Sequence, residues 1–300
     1  MIVITAPTGQ IGRQILETLL DTNANENGVT PPIRVIARDP ARLPARVREE
    51  TEVIQGSNNE KDVLSKALTG ADSVFWLVPP DPSAPSVEDR FLEFTRPFCE
   101  VIAETGVQRV VGVSTLGRGV AKNAGHISAN LDMDAMIEAT GVHYRALELP
   151  GFMENMLRSI PALKAAGLFS SPVTPDRREP AVATRDIAAV AARLLLDPTW
   201  EGQEGVRILG PEDLSADDMA RVMSDVLDRP IRFQPVTSEE YKATMMRFGL
   251  SEAWAQGLVD MMRAIDEDRI YHARPRTPED GSPTSFRQWC EDVLKPAIQN

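Results

Sequence analysis

Cysteine, histidine and tyrosine are all scarce in this chain, and each scarcity closes off a type of chemistry. The two cysteines, Cys99 and Cys290, lie far apart and fit neither a zinc-ligand spacing nor a Cys-x-x-Cys redox motif. A single pair gives no disulfide framework, which fits a reducing compartment. The three histidines, His126, His143 and His272, include no two at metal-ligand spacing, so no metal site is expected. Positive charge is short as well: 32 Lys and Arg against 44 Asp and Glu leave a formal net charge of −12. That balance argues against non-specific binding to nucleic acid or to an anionic membrane. No apolar run is long enough to span a bilayer, and the chain opens on a strand rather than a signal peptide. A soluble cytoplasmic protein with a small-molecule partner is expected.

What is present begins at the first residues. Ile2-Val3-Ile4-Thr5 reads as a strand, Ala6 to Gly12 as a turn, and Arg13-Gln14-Ile15-Leu16-Glu17 as a helix. This order places bare backbone N–H groups and a helix N-terminus under a phosphate. Gly9 lets the turn close and admits a pyrophosphate where a Cβ would intrude. Gly12 lets the helix pack close to the strand it follows, and Ala6 stands where the first glycine of the usual pattern would be. A tight strand-helix turn without a ligand is the other reading of the spacing.

Further strands are expected at 33–37, 52–55, 73–78, 109–114 and 143–148, with helices over 60–68, 87–105 and 128–140. Alternation of this kind is the pattern of a parallel sheet covered on both faces. The polar stretch 23–32, ending in Pro31-Pro32, reads as a lengthened surface loop. After Pro150-Gly151 the alternation breaks. Residues 161–180 look loop-rich, and Thr184 is expected to cap an apolar helix from Ile187 to Leu196. A strand follows at 205–209, a helix at 215–228, and helices dominate from about 229, carrying Met245, Met246, Met261 and Met262. Such methionines are either core filler or an adaptable wall around an apolar ligand. The expected architecture is α/β: a Rossmann-type doubly wound parallel sheet with a small, mainly helical C-terminal substrate region. Residues 1–160 form the dinucleotide-binding domain, 181–228 return to it, and 161–180 with 229–300 form the substrate region.

The second strand runs into Arg38-Asp39-Pro40-Ala41-Arg42. An acidic residue at that strand end suits the ribose hydroxyls of NAD, whereas arginine suits a 2′-phosphate. Arg38 therefore favours NADP(H) over NAD(H); two surface arginines opening a helix are the alternative.

Thr8-Gly9-Gln10-Ile11-Gly12-Arg13, Val35 to Pro40, Gly70 to Phe75, Arg109 to Ser114, Pro150-Gly151-Phe152-Met153-Glu154-Asn155, Ala183 to Ala188 and Ser285 to Trp289 together resemble the NmrA-like family of atypical short-chain dehydrogenase/reductases. The resemblance runs over essentially the whole chain and implies an NADPH-binding domain. Members include quinone reductases, ergot-alkaloid-type reductases and regulators that hold the cofactor without turning it over. By this resemblance Thr8, Gly9, Gln10, Ile11 and Gly12 hold the pyrophosphate, and Arg38 sits at the 2′-phosphate. Leu77, Val78 and Pro79 line the nicotinamide side, Ser114 and Thr115 end a strand near the reacting ring, Pro150 and Gly151 close over it, and Phe152 borders the substrate.

One departure limits the mechanism. The tyrosines stand at 144, 241 and 271, and none is followed four residues later by lysine, so the Tyr-x-x-x-Lys pair of conventional members is absent. His126 and Asn130 align with that position. An electron-poor acceptor such as a quinone or iminium needs no strong acid, and water or His126 could supply a proton. A histidine at a helix start is otherwise simply an exposed polar residue. Glu148, where the family carries arginine, either pairs with a cationic substrate or caps a neighbouring helix. The expected function is an NADPH-dependent oxidoreductase passing hydride to a small electron-poor acceptor, the alternative being a non-catalytic NADP(H)-binding redox sensor.

Overall fold

The computed structural model describes residues 1–25 and 31–299. Strand and helix alternate through the first half: β1 (Ile2–Ile4), α1 (Gln10–Asn25), β2 (Ile33–Ala37), α2 (Ala45–Glu50), β3 (Glu52–Gln55), α3 (Lys61–Leu68), β4 (Ser73–Trp76), α4 (Val87–Thr105), β5 (Arg109–Thr115), α5 (His126–Glu138) and β6 (His143–Leu149). The short β7 (Gly151–Phe152) leads to α6 (Ile160–Ala166), β8 (Leu168–Ser171), β9 (Glu179–Val182) and α7 (Thr184–Leu196). The chain then forms β10 (Gln203–Arg207), β11 (Asp213–Leu214), α8 (Ala216–Leu227), β12 (Arg232–Pro235), α9 (Ser238–Arg247), α10 (Glu252–Asp266), α11 (Phe286–Trp289) and α12 (Lys295–Gln299).

Seven strands make one parallel sheet in the order β10-β6-β5-β4-β1-β2-β3. On one face Ile15, Leu16, Leu19 and Leu20 of α1 meet Ile187, Ala191 and Leu195 of α7 over Val35, Phe75 and Val111. On the other, α3, α4 and α5 bury Leu64, Phe98, Val101 and Met133 against Val74, Val110 and Trp76. The Trp76 ring stacks on Phe98 at 3.8 Å. Because both faces are covered, the central strands are apolar over most of their middle, as in Ile2–Ile4 and Val74–Trp76. The strand order reverses at β1, so a crevice opens where the C-terminal ends of β1 and β4 part, the place where such sheets take ligands.

A second core is built from Met153, Leu163, Phe169, Met223, Phe286 and Trp289, joining α6, β8, α8 and α11 beside the sheet. The chain returns to the main sheet through α7 and β10, whereas α8 packs in this second core. Residues 161–180 are more ordered than their prolines suggested: they hold most of α6, all of β8 and the start of β9. Pro161 lies in the first turn of α6, where its missing N–H costs nothing. Thr184 is the first residue of α7 rather than its cap. Its N–H and hydroxyl both donate to the Glu154 carboxylate, at 3.1 and 2.8 Å, so a side chain from a neighbouring segment satisfies the helix end. The loop expected at 23–32 is helical through Asn25, and residues 26–30 lie outside the described residues. Among the described residues no helix is long and apolar enough to cross a membrane, and no cluster of metal-ligating side chains occurs. Both cysteines are unbonded.

Candidate functional site

The turn between β1 and α1 is held by backbone alone. Ala6 adopts a left-handed φ of 49°, and its carbonyl accepts the Gly9 N–H at 3.0 Å. A Cβ on Gly12 would lie 2.3 Å from the same Ala6 oxygen, so α1 can approach β1 this closely only with glycine there. Gly9 has less need of its missing Cβ toward the protein, where Ala6 O would stand 3.3 Å away. Thr8, Gly9 and Gln10 are exposed, while Ile11 and Gly12 are buried. The first-turn N–H groups of α1 have no partners within the helix, and no acidic side chain occupies that turn to compete with an anion.

Thr5 ties the crevice walls together. Its N–H and hydroxyl donate to Phe75 O at 3.2 and 2.7 Å, and its Oγ1 accepts the Leu77 N–H at 3.2 Å. Leu77, Val78 and Pro79 then lie half-buried along the rim. Arg38 is exposed at the end of β2. Asp39 turns its carboxylate to the Ala41 N–H at 3.1 Å, capping a short 3-10 turn. A residue passed over in the sequence feels the charge of Arg38. Arg90, in the first turns of α4, donates to Pro79 O at 2.8 Å and lies 4.4 Å over the Phe94 ring. Burial lowers its pKa and the nearby Arg38 charge lowers it further, against the pull of Asp81. The two guanidiniums thus lie within electrostatic reach of one another.

The ends of β5 and β6 are organised differently from expectation. The Ser114 hydroxyl donates to Asp134 of α5, which also accepts from Tyr144 at 2.6 Å, so Ser114 faces away from α1. The Thr115 hydroxyl donates to Leu116 O at 3.2 Å. Glu148 is 3% exposed and is gripped by Arg118 at 3.2 Å, with Arg274 at 3.6 Å. Arg118 also binds Asp134 and Glu138, each at 2.9 Å. Burial pushes Asp134 up to about 7, although hydrogen bonds from Ser114 and Tyr144 and the Arg118 charge pull it back. Glu148 therefore belongs to an ion network and its carboxylate is already engaged by two arginines.

His126 opens α5, where its Nε2 donates to Trp254 O of α10 at 3.2 Å and its ring meets the Trp254 edge-on at 4.4 Å. Burial lowers its pKa, so the ring is neutral near pH 7 and its Nε2 proton is committed to that carbonyl. One turn on, the buried Asn130 Oδ1 has no hydrogen-bond partner. Such an orphan acceptor is one a ligand hydroxyl can satisfy. Pro150 is buried, Gly151 is exposed and Phe152 half-buried. Gln10, Phe152, Glu154, Asn155, Leu157 and Arg158 line a cleft of about 340 Å³ that joins the glycine turn to the segment after β6. The bare helix end, the closely packed glycine and the exposed Arg38 fit a phosphorylated dinucleotide.

Fold and crevice define a Rossmann-type dinucleotide-binding protein. More narrowly, the chain belongs to the NmrA-like family, whose family model matches residues 1–282. It is 29% identical over 247 residues to the (4-alkanoyl-5-oxo-2,5-dihydrofuran-3-yl)methyl phosphate reductase of Streptomyces griseus, covering 82% of this chain and 80% of that one. Quinone oxidoreductase 2 of Escherichia coli is 24% identical over 268 residues, covering 89% and 87%. The crystal structure of the E. coli NADPH-dependent quinone oxidoreductase in complex with NADPH superposes with a TM-score of 0.77 at 21% identity, covering 98% of this chain and all of that one.

Proposed function

We propose that this protein is an NADPH-dependent reductase of a small, largely apolar, electron-poor acceptor of quinone or iminium type, acting without a Tyr-x-x-x-Lys pair. The observation that carries the reading is the glycine turn, closed on Ala6 O, with Arg38 exposed at the end of the neighbouring strand β2. The relatives' names, reductases of a phosphorylated furanone and of quinones, support it. When bound, NADPH supplies a hydride. The chain's own part is to seat the pyrophosphate on the amides of Thr8 to Gly12 and to hold the rings against Leu77, Val78 and Pro79. Arg38 meets the 2′-phosphate, while the Asp39 carboxylate is turned to the Ala41 N–H. Rate enhancement then comes mainly from proximity and orientation. A quinone fits such a site, since the hydroquinone anion it forms needs no strong acid.

NADPH oxidation followed against a panel of quinones, iminium compounds and enones tests the reading, with steady turnover expected on at least one. Tight cofactor binding without turnover on any of them would mark the protein as a redox sensor, a role favoured by the engagement of Ser114 and His126 elsewhere. Arg38→Ala is expected to weaken NADPH about tenfold or more by calorimetry while leaving NADH nearly unchanged. Equal losses for the two nucleotides would remove Arg38 from the 2′-phosphate.

A further inference from the structure

The cleft beyond Gln10 carries two charged side chains, and only one of them is occupied. Glu154 accepts from Thr184 N, Thr184 Oγ1 and Trp289 Nε1 at 2.8 to 3.2 Å, mostly through Oε1, so its carboxylate is held at the start of α7. Arg158 is exposed and makes a single hydrogen bond, from Nη2 to Asn155 Oδ1 at 2.8 Å. Among the described residues no carboxylate pairs with it. It shares that freedom with Arg38 of the crevice, whereas the arginines at 34, 46, 118, 177, 207 and 269 hold acids. The Arg158 charge also reaches Tyr241 of α9, where it works against the rise that burial imposes on the phenol. A guanidinium therefore lines the cleft with donors free. Phe152 and Leu157 form the apolar part of the lining. At about 340 Å³ the space suits a small ring system bearing one polar substituent.

We infer that Arg158 selects acceptors carrying an anionic oxygen substituent, a phosphate, sulfonate or carboxylate, with the ring of the acceptor lying against Phe152 and Leu157. This rests on the reductase reading for its biological meaning but not for its test. The amides of the glycine turn already offset the cofactor's pyrophosphate. Arg158 lines the same cleft on the segment that follows Phe152, the residue expected to border the substrate.

The test compares 1,2-naphthoquinone with its 4-sulfonate. Binding of each to the NADP⁺-loaded protein is measured by fluorescence quenching, and reduction of each by NADPH oxidation. Arg158→Gln is expected to weaken the sulfonate about tenfold or more, through Kd and KM rather than kcat, and to leave the neutral quinone within about twofold. Arg158→Lys should recover part of the loss. NADPH and NADH affinities should be unchanged. A sulfonate preference that survives Arg158→Gln overturns the inference. So does an equal loss of both nucleotides, which would assign Arg158 to the pyrophosphate. If wild-type protein reduces neither quinone, the reductase reading suffers, while the binding comparison still decides the role of Arg158.

Discussion

Gly12→Ala is expected to cost about a hundredfold or more in NADPH affinity. The added Cβ would lie 2.3 Å from Ala6 O, 3.1 Å from Ala6 C and 3.3 Å from Pro7 Cα, all backbone atoms that cannot rotate away. Either α1 must retreat from β1 or the Ala6 carbonyl must move. If it moves, the Gly9 N–H to Ala6 O bond that closes the turn breaks with it. Ala6 already holds a φ of 49°, a conformation that costs an L-residue about 1–2 kcal/mol, so the turn has little slack. Overpacking of this kind typically costs about 1–3 kcal/mol in stability. A folded variant is therefore expected, with a displaced helix end and amides no longer aimed at one phosphate. Calorimetry with NADPH and a urea unfolding curve separate the two consequences. Affinity within about threefold of wild type, in a protein destabilised as expected, would show that the pyrophosphate lies elsewhere.

Much of the sheet was legible because its physics is local. The bounds of β2, β3 and α4 agree with the apolar runs and helical periods at 33–37, 52–55 and 87–105. The α5 helix starts at His126, two residues before its periodicity suggested, because Gly125 at a φ of 52° turns the chain directly into it. The C-terminal lobe was harder, since Pro161 can begin a helix as readily as interrupt one, and only its packing partners decide. Thr184 carries a cap residue's chemistry, yet the carboxylate that uses it comes from Glu154, thirty positions earlier.

The site shows the same division. The glycine turn and Arg38 are contiguous with their strands and could be read directly. Alternation along β5 says that Ser114 and Thr115 face opposite sides, but which faces α5 depends on Asp134, twenty positions away. Arg90 has no sequence signal linking it to Arg38, fifty-two positions earlier, and feels its charge only in the folded chain. For Glu148 two ligands were weighed, a cationic substrate and a helix terminus. The actual partners are arginines at 118 and 274, residues with no sequence signal linking them to it.

That arginine network yields the second large effect: Arg118→Ala is expected to destabilise the fold by about 2–4 kcal/mol near pH 8. Removing one member of a buried ion pair strands the other, and here Arg118 serves Asp134, which is fully buried, Glu148, which is nearly so, and Glu138. The figure is set below that for a wholly buried partner because about a third of the Arg118 side chain reaches solvent. The loss should depend on pH in a defined direction. Asp134 has a folded-state pKa of about 7, above its ordinary 3.8, through burial first. A raised carboxyl pKa gives stability that is complete below the unfolded value and disappears as pH rises through the folded one. Arg118 holds that folded value down, so without it the pKa climbs further and the decline continues to higher pH. The variant's deficit should accordingly be smaller at about pH 5, where Asp134 is protonated with or without its partner, than at about pH 8. Urea midpoints at the two pH values measure it. A deficit of equal size at both would mean that Arg118 contributes packing along its side chain, and that the charge on Asp134 is balanced by Tyr144 and Ser114 alone.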